Sequence, residues 1–402
     1  MKILYIATSF PKQNKGDTIY TDLAEALKEA GHHITIAVSE QAKNLKKTEF
    51  KKERGFNVLR IVTGNYYDVG IFEKGITTLK IPFIMKRGIS KYLRDEQFDI
   101  VLYEAPPVTN ASLVNWVKKK FKCSSYLMLK DIFPQNAVDI GVIKKNSLIY
   151  KFFKMKEKQL YSSADTIGCM SEGNRSYILK ENPDLEKNKI EIFPNTKRLT
   201  SEFYTKEFTM RGKYGIGKSD CVFLFGGNMG KPQYIDLLCE AVFECKDCDN
   251  IFFLFVGRGT EKYKLENVIK NNKIQNALVV DNLPRVEYEQ ILKEIDVGLI
   301  ILDPKFTIPN YPSRILSYME YSKPVLAATD MTTDFKELIN SSGCGKWVFS
   351  GDKKIFIEEI KNMANDSRLK QMGENGRKYI VENLYLDKSV KILEEYFKRE
   401  KR

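Results

Sequence analysis

Arg314 lies in the stretch IPNYPSRILSYMEYSKPVLA (308–327), flanked by two apolar runs, DVGLII (296–301) and PVLAA (324–328). Both runs have the length and character of buried parallel strands. Between them, a polar loop with Pro304 and Pro309 leads into an amphipathic segment opening at Pro312-Ser313-Arg314. Pro suits a first helical turn and Ser caps one, so the pattern predicts strand, loop, helix start, strand. Free N–H groups at a helix start attract an anion, and a guanidinium presents a fork that matches phosphate oxygens. The same residues also describe an ordinary helix of an α/β domain.

Three further strand-end loops are expected on the same edge. GGNMGKPQ (226–233) is glycine-rich, which lets backbone approach a ligand closely, and its Lys231 adds a point charge. GRGT (257–260) supplies Arg258, and NLPR (282–285) supplies Leu283 and Pro284. Glycines with Lys231, Arg258 and Arg314 around one edge would bind a diphosphate without a metal ion. In the first half, Glu104 falls near the end of FDIVLYEAPP (98–107), and Lys130-Asp131 near the end of SSYLMLKDIFPQ (124–135). Carboxylates at strand ends either cap loops or handle the proton of a substrate hydroxyl.

Other combinations support less. Asp247-Cys248-Asp249 spells a metal–diphosphate pattern, but between a helix end and a strand start, on the edge away from the ligand. Cys245 and Cys248 have no second pair, and the only histidines are His32 and His33, so no zinc site is expected. Nucleophilic catalysis of the Ser-His-Asp or Cys-His kind has little material.

The elements that must position these groups recur along the chain. KILYIAT (2–8) reads as a strand, followed by the loop SFPKQNKGD with Gly16, a helix over 18–30 and the strand HHITIAVS. This βαβ unit lacks GxGxxG, so dinucleotide binding is not supported. A basic excursion (41–54) precedes the strand FNVLRIV. Residues 70–94 mix Phe72, Ile76, Leu79, Phe83, Ile84 and Ile89 with Lys74, Lys80, Lys86, Arg87, Lys91 and Arg94, and Pro82 is expected to interrupt any single helix. That stretch is either a helix packed on the sheet or a basic, aromatic face for an anionic bilayer. A basic helix, KFFKMKEKQLYSSAD, leads to the strands TIGCMS (166–171) and KIEIFPN (189–195). The polar stretch 196–220 reads as a linker. Strands and helices then alternate again, and the chain is expected to close with two helices, the last near 386–399.

With 402 residues, 43% hydrophobic and 12% aromatic, the chain can bury a large core and form two domains. No run approaches the ~18 apolar residues of a membrane span, and the start is too short for a signal peptide. Seven cysteines, an odd number mostly in apolar segments, suit a reducing compartment. The net charge of +13 is uneven: residues 1–200 hold 34 Lys and Arg against 22 Asp and Glu, the remainder 31 against 30. A basic half suggests nucleic acid, a phosphorylated substrate or an anionic membrane. No RNA- or DNA-binding module stands out, so nucleic acid is the least favoured. Two successive βα domains suggest facing open sheets with a cleft between them.

These motifs resemble GT-B glycosyltransferases of the large retaining class often called family 4, over nearly the whole length. TDLAEALKEAGHHITI, DIFPQ, ADTIGCMSEG and IEIFPN carry the likeness in the first half. FLFGGNMGKPQYIDLLCEA, FFLFVGRGTE, SRILSYMEYSKPVLA and SSGCG carry it in the second. Within that class the chain is most similar to bacterial capsule and O-antigen transferases that handle N-acetylfucosamine-type sugars.

The resemblance implies an acceptor domain over 1–197, completed by a crossing helix at 386–402, and a donor domain over 198–385. It implies a UDP-sugar donor, a polyprenyl-diphosphate-linked saccharide acceptor, retention at the anomeric carbon and no metal or other cofactor. The enzyme would be cytoplasmic and peripheral on the inner membrane face, touching anionic lipid through 70–94. Candidate catalytic residues are Asp131, Glu104 and Lys130. Candidate donor contacts are Gly16, Gly227, Asn228, Lys231, Arg258, Leu283, Pro284, Tyr311, Ser313, Arg314 and Ser317. The chain departs from the class at four places. Pro309 and Ser317 stand where two glutamates are common, and Glu320 is three positions out of register. Asn228 replaces a frequent Arg, and Lys130 a frequent His. A UDP-N-acetyl-sugar 2-epimerase shares the architecture and is the alternative enzyme, although scarce histidine disfavours its acid–base chemistry.

Overall fold

A computed structural model describes residues 1–12, 16–65, 70–199 and 210–400, excluding the side chains of 71, 72, 74 and 400. The chain divides into two compact units, Met1–Thr196 with Leu386–Arg402, and Lys197–Tyr385. The part of the expected linker at 200–209, and the side chains of Phe72 and Lys74, lie outside the described residues.

Unit 1 begins β1 (Lys2–Ala7), α1 (Ile19–Glu29), β2 (His33–Glu40), β3 (Glu49–Glu53), β4 (Phe56–Val62), α2 (Ile71–Tyr92) and β5 (Ile100–Ala105). It continues α3 (Ala111–Phe121), β6 (Ser124–Leu129), α4 (Gln135–Asp139), α5 (Leu148–Ser163), β7 (Thr166–Cys169), α6 (Glu172–Glu181) and β8 (Ile190–Ile192). The sheet order is β3-β4-β2-β1-β5-β6-β7-β8, parallel except for the antiparallel β3–β4 pair. Strands β1, β5 and β6 are buried along nearly their whole length, as helices on both faces require. Strand order reverses between β1 and β5, so the crevice of the sheet opens at their carboxyl ends. Thr18 starts α1 with a reciprocal capping box to Thr21.

Two expectations need correction in this unit. The basic excursion before FNVLRIV contains a strand, β3, whose Lys51 and Lys52 lie exposed on the sheet edge. Residues 71–92 form one helix despite Pro82, which is buried in its middle. Packing of Ile81, Met85 and Ile89, each at most 6% exposed, holds the helix together across the missing N–H.

Unit 2 contains α7 (Met210–Tyr214), β9 (Cys221–Asn228), α8 (Ile235–Glu244), β10 (Ile251–Arg258), α9 (Lys262–Asn271), β11 (Ala277–Val280), α10 (Arg285–Glu294) and β12 (Val297–Ile301). Then come α11 (Ile315–Glu320), β13 (Val325–Thr329), α12 (Phe335–Ser342), β14 (Gly345–Phe349), α13 (Lys353–Ala364) and α14 (Leu369–Asn383). All its strands are parallel, in the order β11-β10-β9-β12-β13-β14, and the order reverses between β9 and β12. The expected linker thus includes a short helix, α7, whose backbone start is held by Glu294. The chain closes with three helices rather than two. The last, α15 (Leu386–Glu400), returns to unit 1, where it buries Leu393, Tyr396 and Phe397, and Tyr396 donates to the Ser125 carbonyl at 3.2 Å. All seven cysteines are free.

Two arginines pin the loop after β1. Arg60, 2% exposed, donates to Glu53 at 2.7 Å, Glu40 at 3.1 Å and the Phe10 carbonyl at 2.9 Å. Arg54 pairs with Asp17 and donates to the Gly16 carbonyl at 3.1 Å. Replacing Arg60 by Met leaves two carboxylates facing a buried apolar group, and the variant is expected to lose roughly 3 kcal/mol of stability. Urea denaturation measures this; a loss under about 1 kcal/mol would place the cluster among weak surface pairs.

Candidate functional site

In unit 2, the carboxyl ends of β9 and β10 carry the expected glycines and cations. Gly227 pairs in register with Gly257, and Asn228 with Arg258. Gly257 adopts φ +150, and a side chain there would begin 1.9 Å from the Gly227 carbonyl oxygen, so only glycine lets these strand ends approach. The strand runs on through Asn228, further than the loop expected at 226–233. Asn228 and Arg258 are exposed, and Asn228 donates to Gln233 at 3.1 Å. Lys231 is exposed on the following turn.

Arg314 reaches the same place. Its guanidinium lies over the Phe225 ring at 4.4 Å, and its Nη2 is 3.5 Å from where a Gly227 side chain would start. Nη1 is buried and has no hydrogen-bond partner. Burial pushes the guanidinium below its ordinary pKa, opposed by Tyr318 and Tyr288. Those two tyrosines back the site. Tyr318 is fully buried and donates to the Leu224 carbonyl at 3.0 Å, and Tyr288 presses on Gly226, where a Cβ would lie 1.9 Å from its hydroxyl.

Ser313 is not the cap of the following helix. Arg314 occupies the N-cap position without a side-chain cap, Ser313 is exposed, and α11 is only six residues long. The guanidinium, rather than a helix terminus, is therefore the feature aimed at the strand ends. The loop before it is fixed from β13: Asp330 accepts from Thr332 and Thr333 N–H, and Thr333 donates to the Asn310 carbonyl at 2.6 Å. Tyr311 packs edge-on against Phe335 at 5.4 Å. Ser317 accepts from Lys197 Nζ at 3.1 Å, and Lys197 also pairs with buried Glu320. Leu283 packs on the core and Pro284 is exposed at the start of α10, the helix that brings Tyr288.

In unit 1, the carboxyl ends of β1, β5 and β6 gather Thr8, Glu104, Lys130 and Asp131. Glu104 is 3% exposed, and its Oε1 accepts from Thr8 N–H at 2.7 Å and from the Thr8 hydroxyl. Burial raises its pKa against the bonds from Thr8 and Tyr20 and the charge of Lys130. Lys130 donates to Asn195 at 2.8 Å and sits over the Phe193 ring. Burial lowers its ammonium to about 8, against the pull of Glu104. Asp131 accepts from Ile132 N–H at 2.8 Å and Asn136 at 2.5 Å, while burial raises it to about 6. Gly16 belongs to the loop that Arg54 holds, and nothing in unit 1 brings it to the Lys130–Asp131 pair among the described contacts.

Thr8, Phe225, Tyr288, Tyr318 and Lys197 are missing from the residues singled out by sequence. Tyr318 was within reach, four residues past Arg314 on one helix face. Thr8 directly follows β1 at the switch point. Asp247 and Asp249 are exposed just before β10, at the amino edge where the sequence placed them.

Residues 206–379 match the family model described as Glycosyl transferases group 1. A probable glycosyltransferase WbjE of Pseudomonas aeruginosa is 25% identical over 324 residues, covering 78% of this chain and 75% of the relative. Among solved structures, sucrose-phosphate synthase from Thermosynechococcus elongatus superposes with a TM-score of 0.77 at 15% identity, over 99% of this chain and 98% of that one. Anabaena Alr3699/HepE in complex with UDP superposes with a TM-score of 0.67 at 12% identity, over 98% and 99%. The chain is thus a transferase enzyme of GT-B fold, a glycosyltransferase with a group 1 domain over residues 206–379.

Proposed function

We propose that this glycosyltransferase takes a sugar from a UDP-linked donor and attaches it, with retention, to a polyprenyl-diphosphate-linked saccharide in capsule or O-antigen synthesis. The donor sugar is an N-acetylated amino sugar such as N-acetylfucosamine. The observation that carries the donor half is the buried, unsatisfied Nη1 of Arg314 beside Gly227. A diphosphate there gains a charge-assisted bond, with Lys231 and Arg258 as exposed cations on the same strand ends. Those cations take the place of a metal ion. The UDP held by the HepE structure supports the choice of nucleotide. The group 1 domain and its relatives favour transfer over the epimerase reading.

On unit 1, Asp131 accepts or holds the acceptor proton. A carboxyl near 6 is largely ionised at neutral pH yet basic enough to draw a proton from a hydroxyl as bonding develops. Lys130 and Glu104 set the charge beside it. The enzyme works peripherally on the inner membrane face. Among the described residues no helix is long and apolar enough to cross a membrane. Helix α2 exposes Ile76, Leu79 and Phe83 beside Lys80, which suits contact with anionic lipid.

Arg314→Ala is expected to weaken UDP binding by roughly 1.5–3 kcal/mol, about 10- to 150-fold in Kd, with EDTA present throughout. Titration calorimetry reads this; unchanged affinity would remove Arg314 from the donor site, and EDTA-sensitive binding would remove the metal-free reading. A second expectation concerns Lys130. Its ammonium loses its proton near 8 in the folded protein but near its ordinary value of 10.5 when unfolded. Between those values the unfolded chain binds more protons, so stability rises with pH across that window. The stability of the native protein relative to Lys130→Met should therefore grow from pH 8 to 10 in denaturant titrations. A flat difference would show that Lys130 is solvated and ordinary.

A further inference from the structure

Helix α5 starts with Ser147 as its cap, the Tyr150 N–H donating to Ser147 Oγ at 3.2 Å. One side of its first turns is anchored on the loop that follows Asp131. The Tyr150 hydroxyl donates to Gln135 Oε1 at 3.3 Å, and the Phe153 ring packs edge-on against Phe133 at 5.0 Å. The other side presents Leu148 and Ile149 at 85% and 60% exposure, with Val142 upstream at 62%. None of these three apolar side chains is needed to hold the helix to its unit.

They have apolar company on α2. Ile76, Leu79 and Phe83 follow helical spacing and are 54%, 42% and 66% exposed. Thr109 donates to the Thr78 carbonyl at 3.3 Å, joining that turn of α2 to the 3-10 turn at Val108–Asn110, which packs on α5. Both helices begin after the carboxyl end of a strand, β4 for α2 and β6 for α5. Their first turns therefore lie at the edge of the sheet that carries Glu104 and Asp131.

Exposed lysines border the apolar side chains: Lys80 on α2, Lys144 and Lys145 before α5, and Lys151 on it. None of the four has an acidic partner among the described residues. Apolar side chains edged by uncompensated cations match an anionic bilayer, which takes the first into its interface and the second onto its headgroups. A second copy of the chain fits less well, because a two-fold interface would bring the same lysines against each other.

We infer that residues 142–155 are a bilayer-contacting element alongside α2, docking the carboxyl edge of unit 1 on anionic lipid so that a lipid-borne acceptor reaches Asp131 from the membrane plane. This rests on the proposed transfer to a lipid-linked acceptor. It adds that the surface which binds lipid and the loop which holds Asp131 are one packed structure, through Phe133–Phe153 and Gln135–Tyr150.

The test uses the full chain and vesicles of phosphatidylcholine with and without phosphatidylglycerol. The native protein is expected to sediment with the anionic vesicles only, and Leu148→Asp/Ile149→Asp to lose binding by roughly tenfold or more. Both side chains are exposed, so the melting temperature and UDP affinity of the variant should match the native protein. In a separate variant, Ile149→Trp, the indole emission should shift to the blue on anionic vesicles. Equal sedimentation of the Asp variant, or an unshifted tryptophan, overturns the assignment. So does a native dimer in sedimentation equilibrium that the Asp variant dissolves, since a second copy then covers the face. Failure of UDP to bind the native protein is a separate result and counts against the donor reading instead.

Discussion

An arginine taken out of water must find acceptors for its N–H groups, and the two units treat this constraint in opposite ways. Arg60 is satisfied from within, by Glu53, Glu40 and the Phe10 carbonyl, so it acts as a fixed strut beneath the loop after β1. Arg314 has the Phe225 ring on one face and no acceptor for Nη1. Leaving a buried donor unmade costs on the order of 1–3 kcal/mol, more for a charged group. That cost persists only because the surroundings over-determine the side chain. Tyr318 is locked to the Leu224 carbonyl, Tyr288 fills the space a side chain at Gly226 would need, and α11 itself is held by Arg377 donating to the Glu320 carbonyl at 3.0 Å. Any acceptor oxygen brought to Nη1 would offset the penalty, an anionic one most strongly because the bond is then charge-assisted on both sides.

The location of this arginine follows from sheet topology. In each unit the strand order reverses once, between β1 and β5 and between β9 and β12. At such a point adjacent connections leave on opposite faces, and a crevice remains at the carboxyl ends. In unit 2 that crevice is bounded by Asn228 and by the loop after β12, where Asp303 N–H donates to the Pro232 carbonyl at 3.0 Å. In unit 1 it is bounded by Thr8 and Glu104, which bond to each other. One crevice therefore presents cations, the other a buried carboxyl beside a lysine. A diphosphate suits the first, and a hydroxyl that must give up a proton suits the second.

Much of this was legible in the residues because parallel strands buried on both faces read as continuous apolar runs. KILYIA, IVLYEA, SSYLML, IFFLFV and VGLII could be placed by that signal alone, and with them the edges where Glu104, Asp131 and Arg258 fall. Local signals failed where tertiary packing overrode them. Pro82 should break a helix, yet the buried flank of α2 outweighs one missing hydrogen bond. The EFKKE strand has no apolar alternation, because it pairs at an edge where its lysines face water. Ser313 looks like a cap by type and spacing, but the loop is positioned by Asp330 and Thr333, 17 and 20 residues further along the chain. Contacts of that range leave no mark on local sequence. Tyr288 is the same case: nothing in RVEYEQILKE says that its fourth residue reaches Gly226.

Position 317 shows how the loss of one carboxylate can leave the surrounding charges balanced. The resembled class commonly has a glutamate there, and this chain has Ser317, whose hydroxyl accepts from Lys197. Lys197 also pairs with Glu320, one helical turn further on and 5% exposed. A carboxylate at 317 would put two acids around one lysine at the start of a buried cluster, and desolvation would force one of them to protonate. With serine at 317, Lys197 and Glu320 form a neutral pair, and the serine hydroxyl bonds the same ammonium. A ligand hydroxyl approaching this helix would therefore meet a serine already engaged as an acceptor, which has a second lone pair to offer but no free carboxylate beside it.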